Sequence, residues 1–217
     1  YLSRKARKML DEAGWENCTI TVSNSLDEYL IQDLWMQDAK IDAFGVGERL
    51  ITAKSEPVFG CVYKLVAVED KDGNVTPKIK ISENVGKITM PHFKKLYRFY
   101  GRDTGKAIAD YLTVYDETVD DSKNLEIFDP DATWKRKEVY HFEARELLVP
   151  IYQKGKLVYK RPSVEEIKKY CAEQVDTLWD EVKRFDNPHN YYVDLSQKLY
   201  DIKTRLLNEK NERREQN

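Results

Sequence analysis

Two short loops hold the residues best suited to chemistry. In Phe44-Gly45-Val46-Gly47-Glu48-Arg49, two glycines lack a Cβ, so the backbone can turn sharply and bring its N–H groups against an anion. A short helix through Glu48-Arg49-Leu50-Ile51-Thr52 would add the positive end of its dipole, and Arg49 a formal charge. Gly45, Val46, Gly47 and Arg49 are therefore the predicted phosphate-binding residues. Gly-x-Gly alone more often describes a tight turn from strand into helix. What favours binding is its place at a strand's C-terminal end, where α/β barrels build phosphate sites. The companion loop, Ser23-Asn24-Ser25-Leu26-Asp27, also follows a strand. Ser23 and Asn24 could hydrogen-bond a sugar or phosphate there, with Ser25 capping the helix behind them.

Other candidates carry less. The run Lys135-Arg136-Lys137 could reach an anionic ligand, or be a solvated loop, and Lys87, Lys94, Lys95 and Arg98 share that ambiguity. His92, His141 and His189 lie far apart with no i, i+4 pair, so no metal site is predicted. Cys18, Cys61 and Cys171 are odd in number and widely spaced, which points to a reducing compartment and hence the cytoplasm. Cys61, within an apolar run, reads as core. Lys and Arg total 36 against 38 Asp and Glu, a formal charge of -2, which argues against a nucleic-acid partner. No apolar run approaches the roughly 20 residues that span a bilayer, so no membrane partner is expected.

The elements that must position these loops fall into an α/β part followed by an α+β part. Residues 1–55 read as helix, strand, helix, strand. Leu2, Ala6, Met9, Leu10 and Ala13 recur at helical spacing up to Gly14. Cys18–Val22 and Ile41–Phe44 are β-rich, and Ser25 and Glu28 are in capping-box register before an apolar stripe at Leu26, Leu30, Ile31 and Leu34. Strand, helix, strand in so short a span implies parallel pairing. Residues 56–160 read as antiparallel β, with strands at Cys61–Val68 and Lys78–Ile81, and with Glu143–Ile151 pairing Lys156–Tyr159 across Gln153-Lys154-Gly155. Residues 161–217 read as a helical pair. One helix is capped by Ser163 and Glu166 and runs to Asn187-Pro188; the other carries Leu195, Leu199, Ile202 and Leu206 before a polar tail.

Several runs together resemble the nicotinate phosphoribosyltransferase family, in the branch typical of Gram-positive bacteria. They are Val22-Ser23-Asn24-Ser25-Leu26-Asp27-Glu28-Tyr29, Ile41-Asp42-Ala43-Phe44-Gly45-Val46-Gly47, Val62-Tyr63-Lys64-Leu65, Thr133-Trp134-Lys135-Arg136-Lys137, Phe142 to Pro150, and Leu178 to Phe185 with Asn187-Pro188-His189. Glu48 stands where the family often has Thr, Ser25 where it has Asp, and Cys61 and His92 where it has Gly.

The resemblance implies that residues 1–55 are the last βα units of a phosphoribosyltransferase-type α/β barrel. It implies an activity in NAD salvage: nicotinate and phosphoribosyl pyrophosphate give nicotinate mononucleotide and pyrophosphate, coupled to ATP hydrolysis, with Mg²⁺. It further implies a homodimer, and catalytic residues that precede Tyr1. The chain opens on a helix already under way, without Met, so it is expected to be the C-terminal half of a longer enzyme, inactive alone. Two other readings stay open: a non-catalytic phosphate-binding or dimerisation fragment, or an enzyme using nicotinamide or quinolinate.

Overall fold

Helical spacing of Leu2, Ala6, Met9 and Leu10 makes α1 (Leu2–Glu12), and the backbone after it explains the stop. Gly14 turns to φ +78, so Trp15 N reaches Leu10 O at 2.8 Å and Gly14 N reaches Asp11 O at 3.0 Å, closing the helix end. The computed structural model describes residues 1–215, with side chains to residue 209. It divides into two compact units, Tyr1–Tyr63 and the chain from Lys64 onward.

In the first unit β1 (Thr21–Ser23), α2 (Glu28–Met36) and β2 (Ala43–Gly45) form the expected crossover. The strands pair in parallel, Thr21 with Ala43, Val22 with Phe44 and Ser23 with Gly45. A single turn, α3 (Glu48–Ile51), follows Gly47. Capping departs from the prediction: Asp27, not Ser25, caps α2. Asp27 is extended at φ -138, ψ 177, and its Oδ1 accepts from Leu30 N at 2.9 Å, while Ser25 is left-handed at φ 51. A cap needs an extended backbone directly before the first turn, which Ser25 does not have. Among the described residues of this unit the sheet has two strands and no barrel closes. So small a sheet covers little: Leu26 is buried, while Met36, Ile51 and Phe59 are 79%, 84% and 95% exposed.

The second unit begins with a hairpin, β3 (Ala67–Glu69) and β4 (Val75–Pro77), around a turn where the Asp70 carboxylate accepts from the Asp72 and Asn74 amides. The strand predicted for Cys61–Val68 is reduced to β3. Cys61 lies outside it and is exposed, not core. No strand forms at Lys78–Ile81 either; Lys80 instead bonds Thr89, its N–H donating to Oγ1 and its carbonyl accepting from Thr89 N.

Next come β5 (Lys94–Gly101), β6 (Ala107–Val114), the hairpin of β7 (Leu125–Phe128) and β8 (Arg136–Val139), β9 (Phe142–Glu146), and a tight hairpin of β10 (Tyr152–Gln153) and β11 (Lys156–Leu157). Lys154 and Gly155 turn that last hairpin at φ 50 and 75. Only its tip matches the predicted pairing, because Phe142–Glu146 joins β5 instead. The core fills one face of this region: Phe99 and Phe142 have centroids 4.6 Å apart, with Tyr97, Tyr111, Ile127 and Val139 around them.

The helix α4 (Val164–Asp176) starts in the predicted capping box, with Ser163 Oγ accepting from Glu166 N and Glu166 Oε2 accepting from Ser163 N. It stops at Asp176, short of the predicted run through Phe185. The first residue of β6 and the lysine before it take the terminal carbonyls: Ala107 N donates to Thr177 O at 2.8 Å, and Lys106 Nζ donates to Asp176 O at 2.6 Å. Trp179 Nε1 donates back to Ala107 O at 3.1 Å. Tertiary bonding overrides the helical period there. Leu195, expected in a helix, ends β12 (Val193–Leu195), which pairs in parallel with β6 ahead of α5 (Gln197–Glu215). The sheet order is β12-β6-β5-β9, so it draws strands from both sides of residue 160.

Candidate phosphate-binding site

The register of β1 against β2 sets Ser23 beside Gly45, so both loops leave the sheet side by side at the C-terminal ends of parallel strands. A Cβ on Gly45 would lie 3.3 Å from both Cβ and Oγ of Ser23, which explains glycine there. Around Gly47 a Cβ would meet nothing within 4 Å. Among the described residues the Val46 and Gly47 amides have no internal acceptor, and the Gly47 carbonyl accepts from Leu50 and Ile51 as α3 begins. The side chains of Ser23 and Asn24 are exposed and make no hydrogen bond within the described residues; Asn24 has φ 107. The backbone thus presents two amides and two uncommitted side chains together.

Arg49 is placed by an acid that sequence reasoning missed. Its Nη1 donates to Asp27 Oδ2, an ion pair between the two loops. The Leu30 amide first, then Arg49, holds the Asp27 carboxyl below the usual carboxylate range. An Asp directly before α2 was the available signal, overshadowed by the Ser25–Glu28 spacing. A cavity of about 170 Å³ adjoins this pair, lined by Asp27, Glu28, Tyr29, Arg49, Lys54 and Ser55, and does not include the glycines.

The basic run divides. Arg136 pairs with Glu126, and its guanidinium lies 5.2 Å from the Phe128 ring centroid. Lys135 Nζ is 3.8 Å from Asp129, and Lys135 and Lys137 line a cavity in the second unit with Asp129 and Asp194. Nothing local in the sequence announces Asp194, which arrives from β12.

A family model described as the nicotinate phosphoribosyltransferase C-terminal domain matches residues 93–203. The chain belongs to the nicotinate phosphoribosyltransferase family. Among curated relatives, the nicotinate phosphoribosyltransferase of Bacillus subtilis is 43% identical over 217 residues, an alignment that takes in 96% of this chain and 44% of the relative. That of Caenorhabditis elegans is 35% identical over 211 residues, covering 92% of this chain and 36% of the relative. The crystal structure of human nicotinic acid phosphoribosyltransferase shares the fold, with a TM-score of 0.64 at 24% identity over 94% of this chain and 36% of that one. The chain therefore spans less than half the length of these relatives.

The positions expected to depart from the family pattern can be read in the geometry. His92, where glycine is expected, holds φ 74, the left-handed backbone glycine favours. It is kept there by Nδ1 accepting from Phe93 N at 2.9 Å and by stacking on Tyr115. Glu48, where Thr is expected, has Oε1 3.7 Å from Lys54 Nζ, a cation that offsets its charge beside the loop.

Proposed function

We propose that the chain is the C-terminal part of a nicotinate phosphoribosyltransferase of NAD salvage, and that its glycine loop anchors the 5-phosphate of phosphoribosyl pyrophosphate. The observation that carries this reading is the pairing of Ser23 with Gly45, which brings both βα loops together beside the free amides of Val46 and Gly47. Those amides bind the phosphate, Ser23 and Asn24 contact phosphate or ribose, and Arg49 adds charge at the rim. Holding the phosphate fixes C1 for in-line attack by nicotinate as pyrophosphate leaves through an oxocarbenium-like state. Remote binding of this kind lowers the barrier without touching the reacting bond.

The unit Tyr1–Tyr63 supplies the last βα units of an α/β barrel, and the groups that perform the transfer lie outside this chain, which is inactive alone. ATP hydrolysis drives the reaction, the complete enzyme is a cytoplasmic homodimer, and Mg²⁺ accompanies the pyrophosphate. The test is mononucleotide formation by the complete protein from nicotinate, nicotinamide and quinolinate, with and without ATP. Nicotinate should be the best substrate and ATP should accelerate its use; faster turnover of either rival overturns the assignment.

A further inference from the structure

The turn that carries the free Val46 and Gly47 amides does not hold itself in place. α3 is a single turn: Leu50 N and Ile51 N share the Gly47 carbonyl at 3.0 and 3.1 Å, and Thr52 N donates to Glu48 O at 2.9 Å. A helix that short costs more in fixed backbone than its bonds return. It closes on Lys54 N, which donates to Arg49 O at 3.0 Å across Ala53, whose left-handed φ of 46 alanine disfavours. Leu50 and Ile51 are exposed, so packing adds little.

Past Gly45, among the described residues, the hydrogen bonds of residues 46–56 stay within that stretch with one exception. Arg49 Nη1 donates to Asp27 Oδ2 on the neighbouring loop. Asp27 is a firm anchor: it follows Leu26, which is buried, and its other oxygen caps α2 through Leu30 N at 2.9 Å. Both side chains of the pair are partly buried, so salt and water screen it less than a pair on an open surface. We propose that Asp27 is a positioning residue for the phosphate loop: through Arg49 it fixes α3, and so aims the Val46 and Gly47 amides at the space beside Ser23 and Asn24. This rests on the phosphate-anchoring role of the loop. Asp27 itself touches no substrate. The ion pair stays made while phosphate is bound, so Arg49 serves the anion through its field and the loop's shape rather than as a direct ligand.

The test uses the complete protein. Asp27→Asn keeps the α2 cap and loses the ion pair; Arg49→Met keeps the apolar stem and loses the pair from the other side. Each should raise KM for phosphoribosyl pyrophosphate about fivefold and leave KM for nicotinate within about twofold, a split that general loss of stability does not produce. The double variant should lie within about twofold of either single, since both break the same tie. A lower KM for phosphoribosyl pyrophosphate in Asp27→Asn would make Arg49 a direct phosphate ligand that Asp27 holds back, and multiplied losses of about twenty-five-fold would make the two residues independent. Either result overturns the proposal, as does an unchanged KM in both single variants. Amide exchange of the ligand-free protein separates the tie from the phosphate role: Leu50, Ile51 and Thr52 should exchange about tenfold faster in each single variant. If the parent protein makes no mononucleotide, the function fails and exchange alone decides the tie; unchanged exchange at those amides overturns it.

Discussion

The Asp27 carboxylate joins the two loops of the candidate site: one oxygen caps α2 through the Leu30 amide at 2.9 Å, and the other accepts from Arg49. Arg49 therefore arrives already paired, and its contribution to an anion site is what remains after Asp27 has taken part of its field. The backbone amides become the main donors, consistent with a site built on the turn rather than on a side chain.

Asp27→Ala should loosen both loops, and Asp27→Asn should separate the cap from the charge. Asn still accepts from Leu30 N, so α2 keeps its cap, while the ion pair with Arg49 is lost. The Asp27 carboxyl titrates below its ordinary value of 3.8, through the Leu30 amide and then Arg49. Its contribution to stability is therefore present above that ordinary value and is lost as pH falls through the lowered one. Thermal unfolding followed from about pH 2 to 6 should show a shallower acid limb in Asp27→Asn than in the parent. Superimposable limbs would remove Asp27 from the acid response.

Gly45 and Gly47 should fail in different ways when replaced by valine. At Gly45 the new Cβ meets Ser23 at 3.3 Å, so Gly45→Val should destabilise the first unit by about 1–3 kcal/mol. At Gly47 the space is open, so Gly47→Val should meet no clash with its neighbours, and its effect should be weaker binding of phosphoribosyl pyrophosphate to the complete enzyme. Denaturant melts and a binding titration on both variants distinguish them. Full affinity in folded Gly47→Val would refute the phosphate grip.

Local signals were legible in the sequence and convergent ones were not. Gly14 as a helix stop, the Ser163–Glu166 box and the parallel pairing around Gly45 depend on residues close in the chain, and each is present. The run Val164 to Phe185 has an unbroken helical period, yet Lys106 and Ala107 capture the Asp176 and Thr177 carbonyls where the helix ends, an interaction that periodicity cannot show. Leu195 fits a helical stripe equally well but completes a strand, because β6 offers it an open edge. Cys61 lies in an apolar run of which only the end, Ala67 and Val68, finds a partner strand. At the candidate site the glycines were visible and Asp27 was not: Ser25 and Asp27 are both acceptable caps, and only backbone conformation chooses between them.

Asp194→Leu should raise stability at neutral pH, since burial disfavours the charged carboxylate. The gain should depend on pH in a defined sense. The Asp194 carboxyl titrates above 3.8, chiefly through burial, so the protonated group favours the folded state below that value and the benefit is lost as pH rises through the raised one. The variant's advantage should therefore be small in acid and grow toward neutrality. A constant difference across the range would assign the effect to packing instead.

Arg98 and Asp110 face each other across the β5–β6 ladder, joined by Nε to Oδ1 at 2.7 Å and Nη2 to Oδ2 at 2.9 Å, with the Tyr191 hydroxyl donating to Oδ1 at 3.0 Å. Asp110 is 7% exposed, so removing it strands a half-buried guanidinium and a phenol at once. Asp110→Ala should cost about 3–5 kcal/mol, whereas Arg98→Met with Asp110→Leu together should cost less than Asp110→Ala alone, because no unpaired charge is left behind. Tyr191 ties the segment after α4 to this pair, and the Arg98 guanidinium lies 5.5 Å from its ring centroid. Asp110→Ala should therefore also free the backbone around Tyr191, read as faster amide exchange at Tyr192 and Val193. If the double variant is as unstable as the sum of the singles, the two residues act separately and the buried pair does not hold β5, β6 and Tyr191 together.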